Sequence, residues 1–260
     1  MLPFLSALLL ITFFLYTYHV LASRQQRQLV TTRNALILTA HPDDECMFFG
    51  PTIRALSSSK HRLHILCLST GNADKLGVVR KKEFTRSCQV FGIPASDTRA
   101  IDQPELQDGM LNEWPSETVS KQIEAYVSKH NIDTIITFDQ YGVSGHPNHI
   151  AAYHGARQYV TENPDIILYK LVSIRLPRKY IGVLDLVLVQ AEKWLWPTSE
   201  KAVLFVSSPD DYFVTHKAMR QHVSQLVWFR WLYVTFSRYM FINQLTAVDP
   251  PASRCNFKED

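Results

Sequence analysis

Of 260 residues, 46% are hydrophobic and 20% charged, a balance that supplies a buried core and excludes wholesale disorder and a many-spanning membrane protein. Lys and Arg (27) exceed Asp and Glu (24) by a formal +3, an excess too small and dispersed for a nucleic-acid-binding stripe, so no nucleic-acid partner is expected. Four cysteines, Cys46, Cys67, Cys88 and Cys255, lack CxxC spacing, which argues against a disulfide scaffold or cysteine-built zinc site and favours a reducing compartment.

Residues 2–23 contain no Asp, Glu, Lys or Arg, and the 20-residue core from Pro3 to Ala22 has the length of a bilayer-crossing helix. A cleaved signal peptide is the alternative, because Val20-Leu21-Ala22 stands before Ser23 at suitable spacing. No basic residue precedes the apolar run, and the run exceeds a signal peptide's usual roughly 7 to 15 residues, so a retained anchor is expected. Arg24, Arg27 and Arg33 follow it, which puts the body on the cytoplasmic side. The expected organisation is an anchor at 1–23, a basic juxtamembrane linker at 24–34 and a domain over 35–260 with a membrane-proximal C-terminal segment.

From residue 34 onward, apolar runs alternate with polar-periodic stretches. Residues 35–39 (ALILT) and 63–69 (LHILCLS) read as buried strands, with a crossover helix expected within 47–57 despite Pro51. Helices are expected over 79–91, before Gly92-Ile93-Pro94, and over 117–129, followed by a third strand at 134–138. Strand, helix and strand in alternation imply right-handed crossovers and a mainly parallel sheet, with ligands collecting beyond the carboxyl ends of its strands.

The chemically loaded residues fall there. Directly after the first strand, Ala40-His41-Pro42-Asp43-Asp44-Glu45 places one imidazole and three carboxylates in five positions. Such charge beside a sheet costs desolvation unless a divalent cation compensates; the bland alternative is a solvated turn with a helix N-cap. The third strand leads to Gly145-His146-Pro147-Asn148-His149, two histidines three apart where a helix starting at Pro147 puts both on one face. Either cluster alone is weak, but both leave strand ends of one sheet. Two imidazoles and a carboxylate are a standard catalytic zinc set with one position left open, suited to amide hydrolysis. A carboxylate near the attacking water and a histidine near the developing oxyanion complete the equipment.

AHPDDE together with GHPNH resembles the LmbE-like, PIG-L family of metal-dependent deacetylases. The likeness runs from about residue 35 to 245, through the loop at 69–72, RKKEF, SCQVFGIP, SIRLPRKYIGVLDL and WFRWLYVTFSRYMFINQL. Those C-terminal segments are similar to the family's glycolipid-acting members. The resemblance implies an α/β, Rossmann-like fold, a mainly parallel sheet with helices on both faces, here preceded by one N-terminal transmembrane helix. No GxGxxG follows the first strand, so no dinucleotide is implied. It also implies that His41, Asp44 and His149 are the metal ligands, that the divalent ion is zinc, and that Asp43 is the general base. His146 would stabilise the oxyanion or protonate the departing amine. Arg80 and Glu83 match the family's RxxE, a structural or loop-positioning pair. Asp139, singled out by position alone, either orients His146 or caps its turn.

The activity implied is removal of acetate from N-acetylglucosaminyl-phosphatidylinositol in glycosylphosphatidylinositol anchor synthesis, on the cytoplasmic face of the endoplasmic reticulum membrane. The rival readings are a non-catalytic glycolipid-binding or assembly subunit and a deacetylase of another amino-sugar conjugate. No feature addresses oligomeric state. Met47-Phe48-Phe49 is expected in the core, and His61, His64, His130 and His154 as satisfied or surface residues. Trp194, Trp196, Trp228 and Trp231 face either lipid or core. If 227–245 is helical, Arg230 and Arg238 share a narrow polar face that meets either a lipid phosphate or carboxylates of the body.

Overall fold

Asn34–Thr39 (β1) is a run of apolar and β-branched residues, and Ala35 to Leu38 are wholly buried in a computed structural model that describes residues 2–23, 32–57, 61–196 and 202–248. A strand apolar on both faces needs helices on both faces, which is the habit of parallel sheets. In chain order the elements are α1 (Leu2–Ser23), β1, α2 (Asp44–Phe48), α3 (Gly50–Ser57), β2 (Arg62–Cys67), α4 (Gly77–Val90), β3 (Thr98–Ala100), α5 (Ser116–His130), β4 (Thr134–Phe138) and the kinked turn α6 (Gly142–Gly145). They continue with α7 (Pro147–Glu162), β5 (Ile167–Leu171), α8 (Leu176–Lys179), α9 (Asp185–Leu195), β6 (Val203–Val206), α10 (Pro209–Met219), α11 (Trp228–Phe236) and β7 (Ile242–Ala247).

The seven strands are ordered β3-β2-β1-β4-β5-β7-β6. β1 to β5 pair in parallel, while β7 runs antiparallel to both β5 and β6. The first crossovers carry the chain outward from β1 to β3, then α5 brings it back to β4 on the other side of β1. With right-handed crossovers, that reversal puts α3 and α4 on one face and α5 and α7 on the other, and leaves a crevice between the carboxyl ends of β1 and β4.

The expected first half of the fold is present. The 47–57 crossover is two helices broken at Phe49, and Pro51 lies in the first turn of α3, where its missing N–H costs nothing. Phe49 is fully buried and Met47 and Phe48 nearly so. Residues 227–245 differ from the expectation: α11, a turn of 3-10 helix at Arg238–Met240 and the strand β7 take the place of one helix. Arg238 is 0% exposed and pairs with Asp185 at 2.5 Å, so it belongs to the core. All four tryptophans in question are exposed rather than core. Cys46, Cys67 and Cys88 are buried free thiols, while Cys255 and the linker at 24–31 lie outside the described residues.

Residues 2–23 form the expected helix. Among the described residues, however, no helix is long and apolar enough to cross a membrane, so the transmembrane assignment is not carried by the fold. Phe14, Tyr18 and Ala22 of α1 pack on Leu186, Val189, Leu204 and Val206, and the Tyr18 hydroxyl donates to the Ser207 carbonyl at 2.5 Å.

Candidate active site

The β1 turn is built around Asp44. Its Oδ2 accepts the backbone N–H groups of Ala40 (3.0 Å) and His41 (2.7 Å), closing the turn, while Oδ1 points across the crevice to His149 Nε2 at 3.3 Å. Burial opposes ionisation of Asp44, but the His149 and His41 imidazoles outweigh it and hold the carboxyl well below its ordinary range. Asp43 takes φ 106, a region that disfavours residues with a Cβ and costs about 1–3 kcal/mol. The fully buried Glu45 holds this conformation. Its Oε2 accepts the Asp43 N–H at 3.0 Å, and its Oε1 takes the Ser87 hydroxyl (2.5 Å) and His222 Nε2 (2.6 Å).

Burial pushes the Asp43 carboxyl up, against the pull of Arg230 and Arg80. Its Oδ2 lies 3.3 Å from Arg230 Nη2 yet accepts no hydrogen bond. Arg80 spends its hydrogen bonds on the loop, donating to Gly71 O, Pro42 O and Asp108 Oδ2, and its Nη2 also lies 3.8 Å from Asp43 Oδ1. Gly71, at φ 68, has its missing Cβ position occupied by that guanidinium, so only glycine fits. Glu83 accepts from the Ser224 N–H and hydroxyl. The RxxE pair is thus a loop tether, as expected.

On the β4 side, Gly142 lets the loop press on the first turn of α7. A Cβ there would stand 3.1 Å from that of His149. The Gly142 carbonyl meets His149 Nδ1 at 3.2 Å, and Phe138 stacks flat on the ring with centroids 4.0 Å apart. His146 caps α7, its Nδ1 accepting the Asn148 N–H at 3.3 Å. Burial and the neighbouring His149 and His41 rings push His146 down to about 4, so it is neutral near pH 7. His41 Nε2 faces two acceptors, Asp108 Oδ1 at 3.0 Å and Asn148 Oδ1 at 3.1 Å, while its Nδ1 lies 3.7 Å from Asp44 Oδ2. Burial lowers the His41 pKa, but the Asp108 hydrogen bond and the Asp44 charge raise it further than that.

Donation from His41 Nε2 and His149 Nδ1 puts the lone pair of each ring, when neutral, on His41 Nδ1 and His149 Nε2, both toward Asp44, where a protonated ring would instead donate to its carboxylate. His146 is the reverse: its Nδ1 lone pair is used, so its Nε2 carries a proton. Ligand atoms of His41, His146 and His149 lie within 4.8 Å of one another. Three imidazoles this close, with the Asp44 carboxylate 3.3 Å from His149 Nε2 and 3.7 Å from His41 Nδ1 and an acceptor at Asp43 Oδ2 lacking a donor, fit a divalent cation. A second close group, Glu45, Cys46 and His222, is spent on itself: burial raises the Cys46 thiol, and Glu45 already holds His222.

All five expected site residues line one cavity of about 910 Å³. Asp139 serves its turn, accepting from Tyr141 N, Ser173 N and Ser173 Oγ, with no bond to His146. Sequence reading missed Asp108, Asn148, Lys179 and His222. Asn148 lies inside the HPNH motif and was legible there; the other three reach the site from distant segments with no local signature. Lys179 is buried at the cavity wall and donates to Val143 O at 3.2 Å and to the Ser144 hydroxyl.

Residues 36–160 match the family model PIG-L, described as GlcNAc-PI de-N-acetylase. The chain is 39% identical over 226 residues to the "Probable N-acetylglucosaminyl-phosphatidylinositol de-N-acetylase" of Schizosaccharomyces pombe, covering 86% of this chain and 90% of the relative. It is 39% identical to the N-acetylglucosaminyl-phosphatidylinositol de-N-acetylase of Bos taurus, with 81% of each chain covered. Among solved structures, N,N'-diacetylchitobiose deacetylase from Pyrococcus horikoshii superposes with a TM-score of 0.57 at 16% identity over 86% of each chain, a likeness of fold.

Proposed function

The chain belongs to the PIG-L family of de-N-acetylases, and from that membership and the site geometry we propose that it hydrolyses the N-acetyl group of N-acetylglucosaminyl-phosphatidylinositol. The products are acetate and glucosaminyl-phosphatidylinositol, the free amine needed in glycosylphosphatidylinositol anchor synthesis. One observation carries the reading: Asp43, Asp44 and three imidazoles with complementary tautomers converge in a single cavity at the sheet's switch point.

His41, Asp44 and His149 would hold the divalent ion, proposed to be zinc, because the two free imidazole lone pairs and the Asp44 carboxylate face one another. When bound, it would polarise the acetyl carbonyl and lower the pKa of water. Asp43 is the base: burial keeps its carboxyl basic enough to take a proton from water, while Arg230 and Arg80 hold it in place. His146, neutral with Nε2–H forward, donates to the oxygen that gains charge as water adds to the carbonyl. The C–N bond then breaks, the hydroxyl stays with acetate, and the proton collected by Asp43 goes to the departing amine.

The apolar, charge-free α1 sequence and Arg24, Arg27 and Arg33 after it support attachment to the endoplasmic reticulum membrane with the catalytic body in the cytoplasm. A single crossing requires α1 to release its contacts with β6, since Leu2 to Phe13 alone span about 18 Å at 1.5 Å per residue, against a hydrocarbon core of about 30 Å. Carbonate washing and protease protection of the full chain, with Met1 as the marker, separate a crossing from a peripheral helix or a chain cleaved before Ser23. The activity is tested by acetate release from the glycolipid and from soluble N-acetylglucosamine side by side. Turnover of the soluble sugar alone, or of neither, would reject the proposed substrate.

A further inference from the structure

Two segments distant in sequence make the cavity mouth apolar on one side. α11 lines it with Phe229, Leu232 and Phe236, and Tyr180 lines it from the 176–184 segment. The segments touch: the Tyr180 and Tyr233 rings are 6.2 Å apart, and a Cβ on Gly182 would stand 3.6 Å from the Phe236 carbonyl oxygen. Outside the mouth the same segments turn Trp228, Leu176 and Leu184 toward solvent, exposed by 75%, 69% and 59%. A contiguous apolar rim beside a polar cavity is a surface that awaits a partner.

The charge pattern selects the partner. Across 174–184 and 223–237 the sequence carries no Asp or Glu. Of the four cations there, Arg178 pairs with Asp185 and Glu192, Lys179 is buried on Val143 O and Ser144, and Arg230 faces Asp43, which leaves Arg175 exposed beside the apolar side chains. A second copy docking on this face by two-fold symmetry would bring no carboxylate of these segments to Arg175. Exposed aromatic and aliphatic side chains with a cation and without carboxylates suit the headgroup layer of an anionic bilayer.

We propose that the rim formed by α11 and the 176–184 segment seats in the surface of an anionic bilayer, so that a lipid-linked head group enters the cavity while its acyl chains stay in the membrane. The inference rests on the glycolipid reading above and adds a membrane contact separate from α1.

The test uses the full chain in vesicles of phosphatidylcholine and phosphatidylinositol, with the triple variant Trp228→Ser, Leu176→Ser, Leu184→Ser, none of which lines the cavity. Each protein is assayed on the bilayer-embedded substrate and on the same head group, N-acetylglucosaminyl-inositol phosphate, free of acyl chains. At unchanged melting temperature, the variant should lose about tenfold or more on the embedded substrate and nothing on the free head group. Equal losses on both, or no loss on either, overturn the proposal. Should the variant misfold, quenching of tryptophan fluorescence by lipids brominated in their acyl chains decides, read as the difference between the native chain and Trp228→Phe. Absence of a Trp228 contribution, or cross-linking of two copies through this face, also overturns it. If the native chain hydrolyses neither substrate, the activity reading fails, and the quenching result still stands for or against the rim.

Discussion

Asp43 and Asp44 are neighbours with opposite environments, and the contrast separates their expected mutants. Asp44 is held ionised by imidazoles and shapes the turn through its backbone hydrogen bonds, whereas Asp43 is raised by burial and sits in a strained conformation. Asp43→Asn should therefore retain metal and lose about 10² to 10⁴-fold in turnover, the range for a lost proton-transfer group. Asp44→Ala and His149→Ala should lose metal too; metal content of the purified variants, measured with their activity, checks both halves. An Asp43→Asn chain without metal beside a loaded Asp44→Ala chain would reverse the assignment. Behind Asp43, removing His222 leaves the buried Glu45 Oε1 without one of its two hydrogen-bond partners, so His222→Ala should cost about 1–3 kcal/mol in denaturant unfolding. The catalytic candidates were legible because they are packed into two short motifs; His222 was not, because its partner Glu45 is 177 positions away.

Among the elements, α11 and the segment after it show where periodicity misleads. Aromatic and aliphatic residues over 227–245 satisfy a helical wheel, yet Ser237 accepts the Tyr239 N–H, caps a 3-10 turn and sends the chain into β7, whose partners are distant in sequence. The two arginines part company there. Arg238→Gln strips a buried ion pair from Asp185 and should lower melting temperature while reducing activity on all substrates alike. Arg230→Gln, at the cavity wall beside Asp43, should leave melting temperature nearly unchanged and lower activity. In β2, His64 is enclosed by the β2–α5 packing, its Nε2 without a partner, and burial pushes its pKa down to about 4. The unfolded chain binds this proton near pH 6.5 and the folded chain only near 4. Stability should accordingly fall as pH drops through that window, by on the order of 3 kcal/mol. His146 is pushed down to about 4 as well, so His64→Leu should reduce the slope of the urea-unfolding profile between those pH values without abolishing it, and an unchanged slope would place the proton uptake elsewhere.

The whole molecule is organised by the reversal of strand order at β1, which brings two motifs about a hundred residues apart to one crevice. The parallel strands on either side of it were readable because strands buried on both faces appear as unbroken apolar runs; the strand order itself, β7 and the edge strand β6, which pair antiparallel across long sequence separations, left no such trace. The reversal also makes the proposed metal site a clamp between the two halves of the sheet, with the proposed ligands on the β1 turn and on α7. A cation bound there stabilises the folded chain alone, by about 4 kcal/mol at a thousandfold excess over its dissociation constant. At roughly 2–4 °C per kcal/mol, stripping the ion should lower the melting temperature by about 10 °C. The His41 pKa is raised by Asp108 and Asp44, so the ion must displace a proton, and its affinity should weaken as pH falls through the raised His41 pKa. Zinc titrations in two buffers of different ionisation enthalpy count that proton. Asp43→Asn should keep both the melting shift and the proton release, while Asp44→Ala should abolish both. A melting temperature indifferent to chelator in the native chain would mean that the imidazole cluster is held together by its hydrogen bonds and not by a metal.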